Sequence, residues 1–395
     1  MKKKLFTYGS FLVCLLGMLS AFGPFVTDMY LPALPQLQDF FGTDASMVQL
    51  SLSTSMFGLA VGQVFFGPLS DKYGRKPVVI ASFWIFIVSS IACIYAWSIE
   101  FFVAMRLLQG IGGSGGIVLS RSIATDRYWG EKLAKMMAII GAINGIAPVT
   151  APVLGGMMTD SLGWRGIFTL LMAIGIMLLV GSHIMQESLA ADKRSPDGIV
   201  RTFASFGKIL RNRRFVCLLL QYGFTGGVFF SYIASSPFVI QQHYGFSPFA
   251  FSVIFGLNAL VFGVAAACSM KFKTPELCTH TASVGLVVAS VLMLIAMLSG
   301  ASFAAYEALV VVLLACKRLC FTSTVAMAMN EEHNNAGAAS ALVGAMIFLF
   351  GGVVSPLVGM GDIVVTTSII FVVCAAFSLL FDRLSGKGRN QRSGC

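Results

Sequence analysis

The chain of 395 residues is 57% hydrophobic and only 11% charged, with a mean hydropathy of +0.84. Soluble domains carry about 25% charged residues, so this composition excludes an ordinary soluble enzyme. A membrane-spanning helix takes about 20 residues, and the length therefore suits about twelve spans joined by short connections. The net charge of +10 would indicate nucleic-acid binding in a soluble protein, but in a membrane protein Lys and Arg collect on cytoplasmic loops.

Twelve apolar runs, bounded by charged or turn residues, predict an all-α protein with twelve membrane spans. We number them one to twelve: 6–28, 47–67, 78–97, 101–122, 136–158, 164–186, 215–240, 249–270, 281–299, 303–328, 336–358 and 363–381. The first run follows three lysines, so a cleaved signal peptide is the alternative for it. Because the run continues to Val26, beyond the length of a signal core, we favour an uncleaved first span.

The basic residues follow the positive-inside rule. With the N-terminus inside, 23 of the 27 Lys and Arg fall in cytoplasmic segments or span ends, Arg165 falls outside, and three lie within spans. This pattern predicts that both termini are cytoplasmic, and it explains the net charge without nucleic acid. The one long polar linker predicts an N-terminal six-helix half at 1–190, a cytoplasmic linker at 191–214 and a C-terminal half at 215–395, as in transporters built from parallel repeats.

The loop after span two, GPLSDKYGRKPV, is a candidate conformational lock. Glycines allow a tight turn there, and an acid among basic residues can join two helix ends by charge. The residues are Gly67, Asp71, Gly74, Arg75 and Lys76. The alternative is a plain basic loop without a further role.

Arg106 in span four and Asp28 at the end of span one are candidates for proton coupling. A cation at membrane depth costs about 2.5–3.5 kcal/mol, so Arg106 needs a partner. It lies about 8 Å below the outer end of its span, and Asp28 could lie at a similar depth. Burial raises the pKa of a carboxyl and a nearby cation lowers it. A carboxyl with both influences can exchange a proton for a substrate. The alternatives are that Asp28 caps the membrane boundary and that Arg106 snorkels to the interface.

Span five contains GAINGIAPVTAPVLGG, whose prolines are expected to kink the helix and whose small residues allow close packing. The motif residues are Gly145, Pro148, Pro152, Gly155 and Gly156. Two glycine pairs, Gly112/Gly116 in span four and Gly141/Gly145 in span five, are predicted to permit close helix approach.

Span ten contains adjacent cations, Lys317 and Arg318, about 21 Å from its outer end. Adjacent helix positions point about 100° apart, so both side chains cannot face one cavity squarely. We favour snorkelling of one cation to the cytoplasmic interface, and a role in the inner cavity is the alternative.

An enzyme is not indicated by the sequence. The four histidines, His183, His243, His280 and His333, are far apart and have no metal-ligand spacing. There is no Walker loop, and the glycine-rich stretch 110–116 lies inside an apolar span, where helix packing explains it better than nucleotide binding. We therefore expect neither ATP-driven transport nor a cofactor.

Three of these regions together resemble the major facilitator superfamily. The loop 67–76 matches its loop signature, RLLQG at 106–110 is similar to the R-x-x-Q-G pattern of its proton-coupled drug exporters, and PVLGG at 152–156 is similar to the end of the span-five antiporter motif. Alanines at 138, 147 and 151 stand where the fuller motif has glycine. Small-for-small replacement keeps close packing possible.

The resemblance narrows at TDMYLPALP (27–35) and at the segments 232–260 and 336–359, which look like the bicyclomycin- and chloramphenicol-resistance (Bcr/CflA) type of drug:proton antiporter. It implies the twelve-helix major facilitator fold in two halves and a multi-pass protein of the bacterial inner membrane. It further implies export of small amphipathic drugs, such as bicyclomycin or chloramphenicol, by alternating access. Protons drive the exchange without a cofactor, and we expect a monomer. A proton-coupled uptake or export carrier for a specific metabolite is the alternative.

The resemblance also assigns site residues. Asp28 matches the acid at the end of span one and Arg106 the arginine of span four, whereas Ser20 stands where some relatives carry a second acid. Candidate residues lining the substrate cavity in the second half are Tyr232, Ser235, Ser236 and Asn258.

Overall fold

The computed structural model describes residues 2–194, 206–332 and 336–390, and every regular element within these ranges is helical. The predicted linker cation Arg201, as well as His333 and Arg392, fall outside them. Spans one to four are Lys2–Asp28, Ala45–Tyr73, Arg75–Ile94 and Ile99–Arg127; spans five and six are the two arms of Gly130–Ile184; spans seven to twelve are Arg213–Phe238, Pro248–Cys268, Pro275–Leu298, Phe303–Glu331, Ala336–Val358 and Ile363–Asn390.

Gly163 separates spans five and six. Its φ of 66° and ψ of −176° are not helical, so one continuous element consists of two arms, 130–162 and 164–184. Eleven helices in the described ranges are long and apolar enough to cross a membrane, and the break at Gly163 makes them twelve spans, as predicted. At the start of a helix the first backbone N–H groups lack a partner within the helix. The N–H of Trp164, which begins the second arm, donates instead to Gln36 Oε1 at 2.9 Å.

The helices extend past several predicted ends. Span two continues to Tyr73 rather than 67, and span twelve continues to Asn390 rather than 381. Charged residues end an apolar run, but Lys and Arg favour helix, so the helix outlasts the hydrophobic segment. The short helix Leu34–Phe41 after span one is an element that the sequence analysis missed.

Two ends of the helical bundle are distinguished by charge. We call the end where Arg75, Arg127 and Lys271 lie the basic end, and the end that holds the turns 29–44 and 299–302 the far end. Large apolar side chains on the outer faces of the spans are exposed, as expected for surfaces that contact lipid. The described helices therefore form a membrane-spanning bundle.

The first six and last six spans form two halves that meet along two helix pairs, span two with span eleven and span five with span eight. Four hydrogen bonds between described residues of the two halves lie toward the far end. Three of them donate to carbonyls, from Ser46 Oγ to Pro356 (3.1 Å), from Gln49 Nε2 to Ala234 (3.4 Å) and from Gln241 Nε2 to Pro32 (3.1 Å). The fourth runs from Gln242 Nε2 to Gln38 Oε1 (3.3 Å). The halves are thus joined at the far end. The domain boundaries at 190 and 214 stay predictions.

Candidate transport site

Arg106 is fully buried and joins spans one and four. Its Nη2 donates to the Val26 carbonyl at 3.0 Å, and its Nη1 donates to Gln109 Oε1. Val26 belongs to the last turn of span one, where carbonyls lack a partner within the helix. The guanidinium carbon also lies 4.1 Å from the centre of the Tyr30 ring and 5.5 Å from that of Phe168. Arg106 therefore fixes the position of residues 26–30.

Asp28 lies within this fixed segment but does not form the expected ion pair with Arg106. Among the described residues no cation lies within ion-pair distance of its carboxylate; Thr27 Oγ1 donates to Oδ1 at 2.7 Å. The side chain is 7% exposed. The terminal nitrogens of Arg106 donate instead to Val26 and Gln109. The proton-coupling role of Asp28 and Arg106 stays a prediction.

Asp28 is the single acidic residue of span one, Lys2–Asp28. At Ser20, the position where some relatives have an acid, the hydroxyl accepts a hydrogen bond from Asn144 Nδ2 of span five. Ser20 is buried. At the position where some relatives have a second acid, this chain therefore has a neutral hydrogen bond between spans one and five.

The span-five motif lies between the end of span one and the second half. A Cβ at Gly155 would lie 1.7 Å from the Met29 carbonyl oxygen, and a Cβ at Gly156 would lie 2.2 Å from Ser252 Oγ of span eight. Only glycine allows both approaches. The helix continues through Pro148 and Pro152.

The prediction of close packing holds for some glycines of the two pairs but not for all. Cβ atoms at Gly112 and Gly116 would lie 2.5 Å and 3.1 Å from backbone atoms of neighbouring helices. At Gly141 no atom lies within 4 Å, so the prediction is wrong there. The close contact of span five is made by its far-end glycines. Gly145 lies in the first arm of Gly130–Ile184.

The loop signature forms a charged cluster at the basic end. Arg75 Nη1 donates to Asp71 Oδ1 at 2.5 Å, and Arg75 Nε donates to Asp126 Oδ2 at 2.9 Å. Gly74, with a φ of 103°, makes the turn between spans two and three, and Gly67 lies one turn before Asp71 in span two. The cluster joins the basic ends of spans two, three and four.

Glu187 completes this cluster, although the sequence analysis did not identify it. Its Oε1 and Oε2 accept from the backbone N–H groups of Arg75 (3.0 Å) and Lys76 (3.1 Å). A carboxylate at a helix N-terminus satisfies unpaired donors and complements the helix dipole. Lys76 Nζ donates to the His183 carbonyl at 2.6 Å. The available signal was an acid at a helix end in an otherwise basic segment.

The four predicted cavity residues of the second half are all buried, but they do not form one cluster of free polar groups. Asn258 Nδ2 donates to the Tyr232 hydroxyl at 3.0 Å, and the Tyr232 ring stacks on Phe255. The Ser235 and Ser236 hydroxyls donate to carbonyls of their own helix. The structure therefore brings Tyr232 and Asn258 together. Lining of a substrate cavity stays a prediction for all four.

Lys317 does not snorkel to the interface. It is 1% exposed, and its ammonium nitrogen lies 4.0 Å from the centre of the Phe229 ring and 4.6 Å from those of Phe262 and Phe321. Aromatic rings of three helices therefore hold Lys317 inside the second half. Arg318 is half-buried, and its guanidinium carbon lies 4.7 Å from the Phe262 centre. Snorkelling stays a prediction for Arg318.

Comparisons with known proteins agree with this architecture. The sequence profile of the Major Facilitator Superfamily matches residues 13–356. The chain belongs to this superfamily. It is 34% identical over 391 residues to the uncharacterized MFS-type transporter YdgK of Bacillus subtilis (strain 168), with 97% of both chains covered. It is 24% identical to a bicyclomycin resistance protein homolog of Haemophilus influenzae, with 92% of this chain and 93% of the relative covered.

The fold is also similar to a solved transporter structure. A bacterial homolog of the human lysosomal transporter Spinster, in an inward-facing and unoccupied conformation, superposes with a TM-score of 0.78 at 17% identity, and 96% of this chain and 98% of that chain are covered. At this identity the likeness shows the fold alone. The chain is a multi-pass membrane transporter of the major facilitator superfamily and not an enzyme.

Proposed function

We propose that the chain is a proton-coupled exporter of small amphipathic drugs, such as bicyclomycin or chloramphenicol, in the bacterial inner membrane. Both termini and the basic end lie in the cytoplasm under this proposal, and the far end faces outward. The proton gradient drives the exchange without a cofactor, and the monomer is the working unit. The relative that is named for bicyclomycin resistance supports this substrate class.

The observation that carries the proposal is the position of Asp28. This buried carboxyl directly precedes the segment 29–33, which Gly155 of span five contacts. The same segment accepts the hydrogen bond from Gln241 of the second half at the Pro32 carbonyl. The ionisable Asp28 is therefore four residues from Pro32, whose hydrogen bond with Gln241 joins the two halves at the far end.

This proximity supports a mechanism of alternating access. Removing an ionised carboxyl from water costs free energy unless it is paired. When the far end separates, water reaches Asp28 and a proton can bind from outside. When the far end closes, as in this structure, water leaves and the free energy of the charged carboxylate rises. Proton binding and drug binding then favour different arrangements of the halves, which is the requirement for exchange.

The test is drug-induced proton movement in energised inverted membrane vesicles, followed with a pH-sensitive dye. Bicyclomycin, chloramphenicol and ethidium are added in turn to vesicles with wild-type protein, Asp28→Asn, or no transporter. We expect at least one drug to dissipate the gradient in wild type and none to do so in Asp28→Asn. Asp39→Asn, which changes an exposed acid near the far end, is the matched control and should behave as wild type. Drug response that persists in Asp28→Asn would remove Asp28 from the coupling mechanism, and no response in wild type would favour a specific metabolite carrier.

A further inference from the structure

Lys317 lacks the partner that a buried ammonium normally has. Among the described residues no carboxylate lies within ion-pair distance of it and no acceptor takes its hydrogen bonds. Glu307, the nearest acid before it on span ten, is ten residues, or about 15 Å, away along the helix axis. Asp382 of span twelve is engaged by His280 at 2.7 Å and by Gln221. Among the residues that the structure describes, the rings of Phe229, Phe262 and Phe321 are what stabilises this ammonium at close range, through their electron-rich faces.

A small cavity adjoins the Lys317 side chain. It lies between spans seven, ten and twelve, with Tyr232 toward the far end, Phe371 on span twelve and Lys317 toward the middle of the bundle, and its walls are apolar side-chain atoms. Its free volume admits about one water molecule. A buried ammonium without an acceptor is costly, so an electronegative atom that reaches the Lys317 nitrogen gains a strong hydrogen bond.

Arg318 extends the positive region toward the basic end. Its Nε atom is buried and has no hydrogen-bond partner. Its guanidinium carbon lies 4.7 Å from the centre of the Phe262 ring and 5.1 Å from that of Phe321, two of the rings that also contact Lys317.

We propose that Lys317 and Arg318 form an anion-recognition site, and that the compounds carried include organic anions whose carboxylate or phenolate binds to this pair. The aromatic rings contact the apolar body of the compound, and the two cations, adjacent on one helix but pointing in different directions, approach the anionic group from different sides. The inference rests on the proposed export function for the direction of transport, but the binding site does not depend on proton coupling.

The test uses two fluorescent probes with the same ring system, the anion 7-diethylaminocoumarin-3-carboxylate and its uncharged ethyl ester. Affinities are measured with the purified full chain in lipid nanodiscs, in chloride-free buffer. One charge-assisted hydrogen bond is typically worth about tenfold or more in affinity, so we expect Lys317→Gln to weaken carboxylate binding at least about tenfold. Ester binding should change less than about twofold, because the ester carries no charge to pair. Lys317→Arg should retain carboxylate binding.

Two controls keep the result interpretable. Lys273→Gln removes an exposed lysine at the basic end and should leave both affinities unchanged. Lys317→Met preserves the apolar packing of the stem, and it replaces Lys317→Gln if that protein does not remain folded in a thermal unfolding assay. Carboxylate affinity that is equal in wild type and in the folded Lys317 variant overturns the inference.

Further outcomes separate the possible ligands and the two proposals. Chloride that binds in a Lys317-dependent manner, in a protein that does not bind the carboxylate, would make this a site for inorganic anions and overturn the organic substrate. If wild type binds the carboxylate but no drug moves protons, the proposed export function fails and the anion site stands. If chloramphenicol moves protons but the carboxylate does not bind, export stands and the anion site fails.

Discussion

Arg106 in the first half and Lys317 in the second are both buried cations in spans, but their surroundings differ in kind. Arg106 donates to a carbonyl of span one and to Gln109, whose Nε2 donates in turn to Ser90 of span three at 2.8 Å. Lys317 has aromatic rings around it and no acceptor among the described residues. Both terminal nitrogens of Arg106 have acceptors and only its Nε has none, whereas no described acceptor takes a hydrogen bond from Lys317.

This difference indicates a division of roles between the halves. An arginine whose two terminal nitrogens are engaged by spans one and four positions the backbone near Asp28. An unsatisfied lysine beside a cavity has the capacity to bind a ligand, because a new acceptor replaces no existing partner. The first half therefore fits proton exchange and closure of the far end, and the second half fits substrate recognition. The following substitutions test this division.

The largest effect on folding is expected from Arg106→Ala. The substitution leaves the Val26 carbonyl and Gln109 Oε1 without the donor that Arg106 supplies and opens a cavity, at a cost of about 2–5 kcal/mol. We expect a lower unfolding temperature and a transport rate below about a tenth of wild type. Arg165→Ala, at an exposed arginine of the far end, should cost no more than about 1 kcal/mol. Equal unfolding temperatures for the two variants would contradict the clamp role of Arg106.

Gly155→Ala tests the joint between span five and the end of span one. Its methyl group would overlap the Met29 carbonyl oxygen, so the helices must separate and closure of the far end must weaken. We expect transport to fall about tenfold, equivalent to about 1.4 kcal/mol in the rate-limiting barrier. The rate is measured as drug uptake into inverted vesicles.

Gly141→Ala is the matched control in the same helix. No atom lies within 4 Å of a Cβ at this position, and alanine favours helix over glycine by about 0.5–1 kcal/mol. We expect unchanged transport and equal or higher thermal stability. A similar loss of transport at Gly141 and Gly155 would show that the effect comes from span-five flexibility rather than from the Met29 contact.

The smallest effect is expected from Tyr232→Phe in the second half. The change removes the acceptor of the Asn258 hydrogen bond but keeps the ring on Phe255. One such bond is worth about 1 kcal/mol, so drug affinity should change less than about fivefold while proton coupling persists. Tyr244→Phe, which removes a 3.0 Å bond to the Ala301 carbonyl at the far end, is the control. Loss of coupling in Tyr232→Phe alone would place part of the proton pathway in the second half.

The fold was predictable from the sequence because its signals are local. Apolar runs of sufficient length predict the spans, and the two-half fold agrees with the superfamily match. The break at Gly163 falls between the predicted spans five and six. The ends of the helices were less predictable, because a charged residue ends an apolar run but does not end a helix.

The contacts of the site were less predictable because they depend on direction as well as depth. Sequence spacing placed Arg106 and Asp28 at similar depths, but it does not show that a main-chain carbonyl, Val26, takes the hydrogen bond instead. In the same way, the burial of Lys317 depends on the convergence of Phe229 and Phe262 from two other helices. Neither ring is near Lys317 in sequence.

The most direct test of the coupling role of Asp28 is proton release by the purified protein when drug binds. Wild type and Asp28→Asn are titrated with chloramphenicol in weakly buffered solution that contains a pH indicator, and drug binding is measured in parallel. If drug and proton exclude one another at Asp28, wild type should release up to about one proton per drug bound, and Asp28→Asn should bind drug without release. Equal proton release by the two proteins would contradict the account, because the exchanged proton would then leave another group.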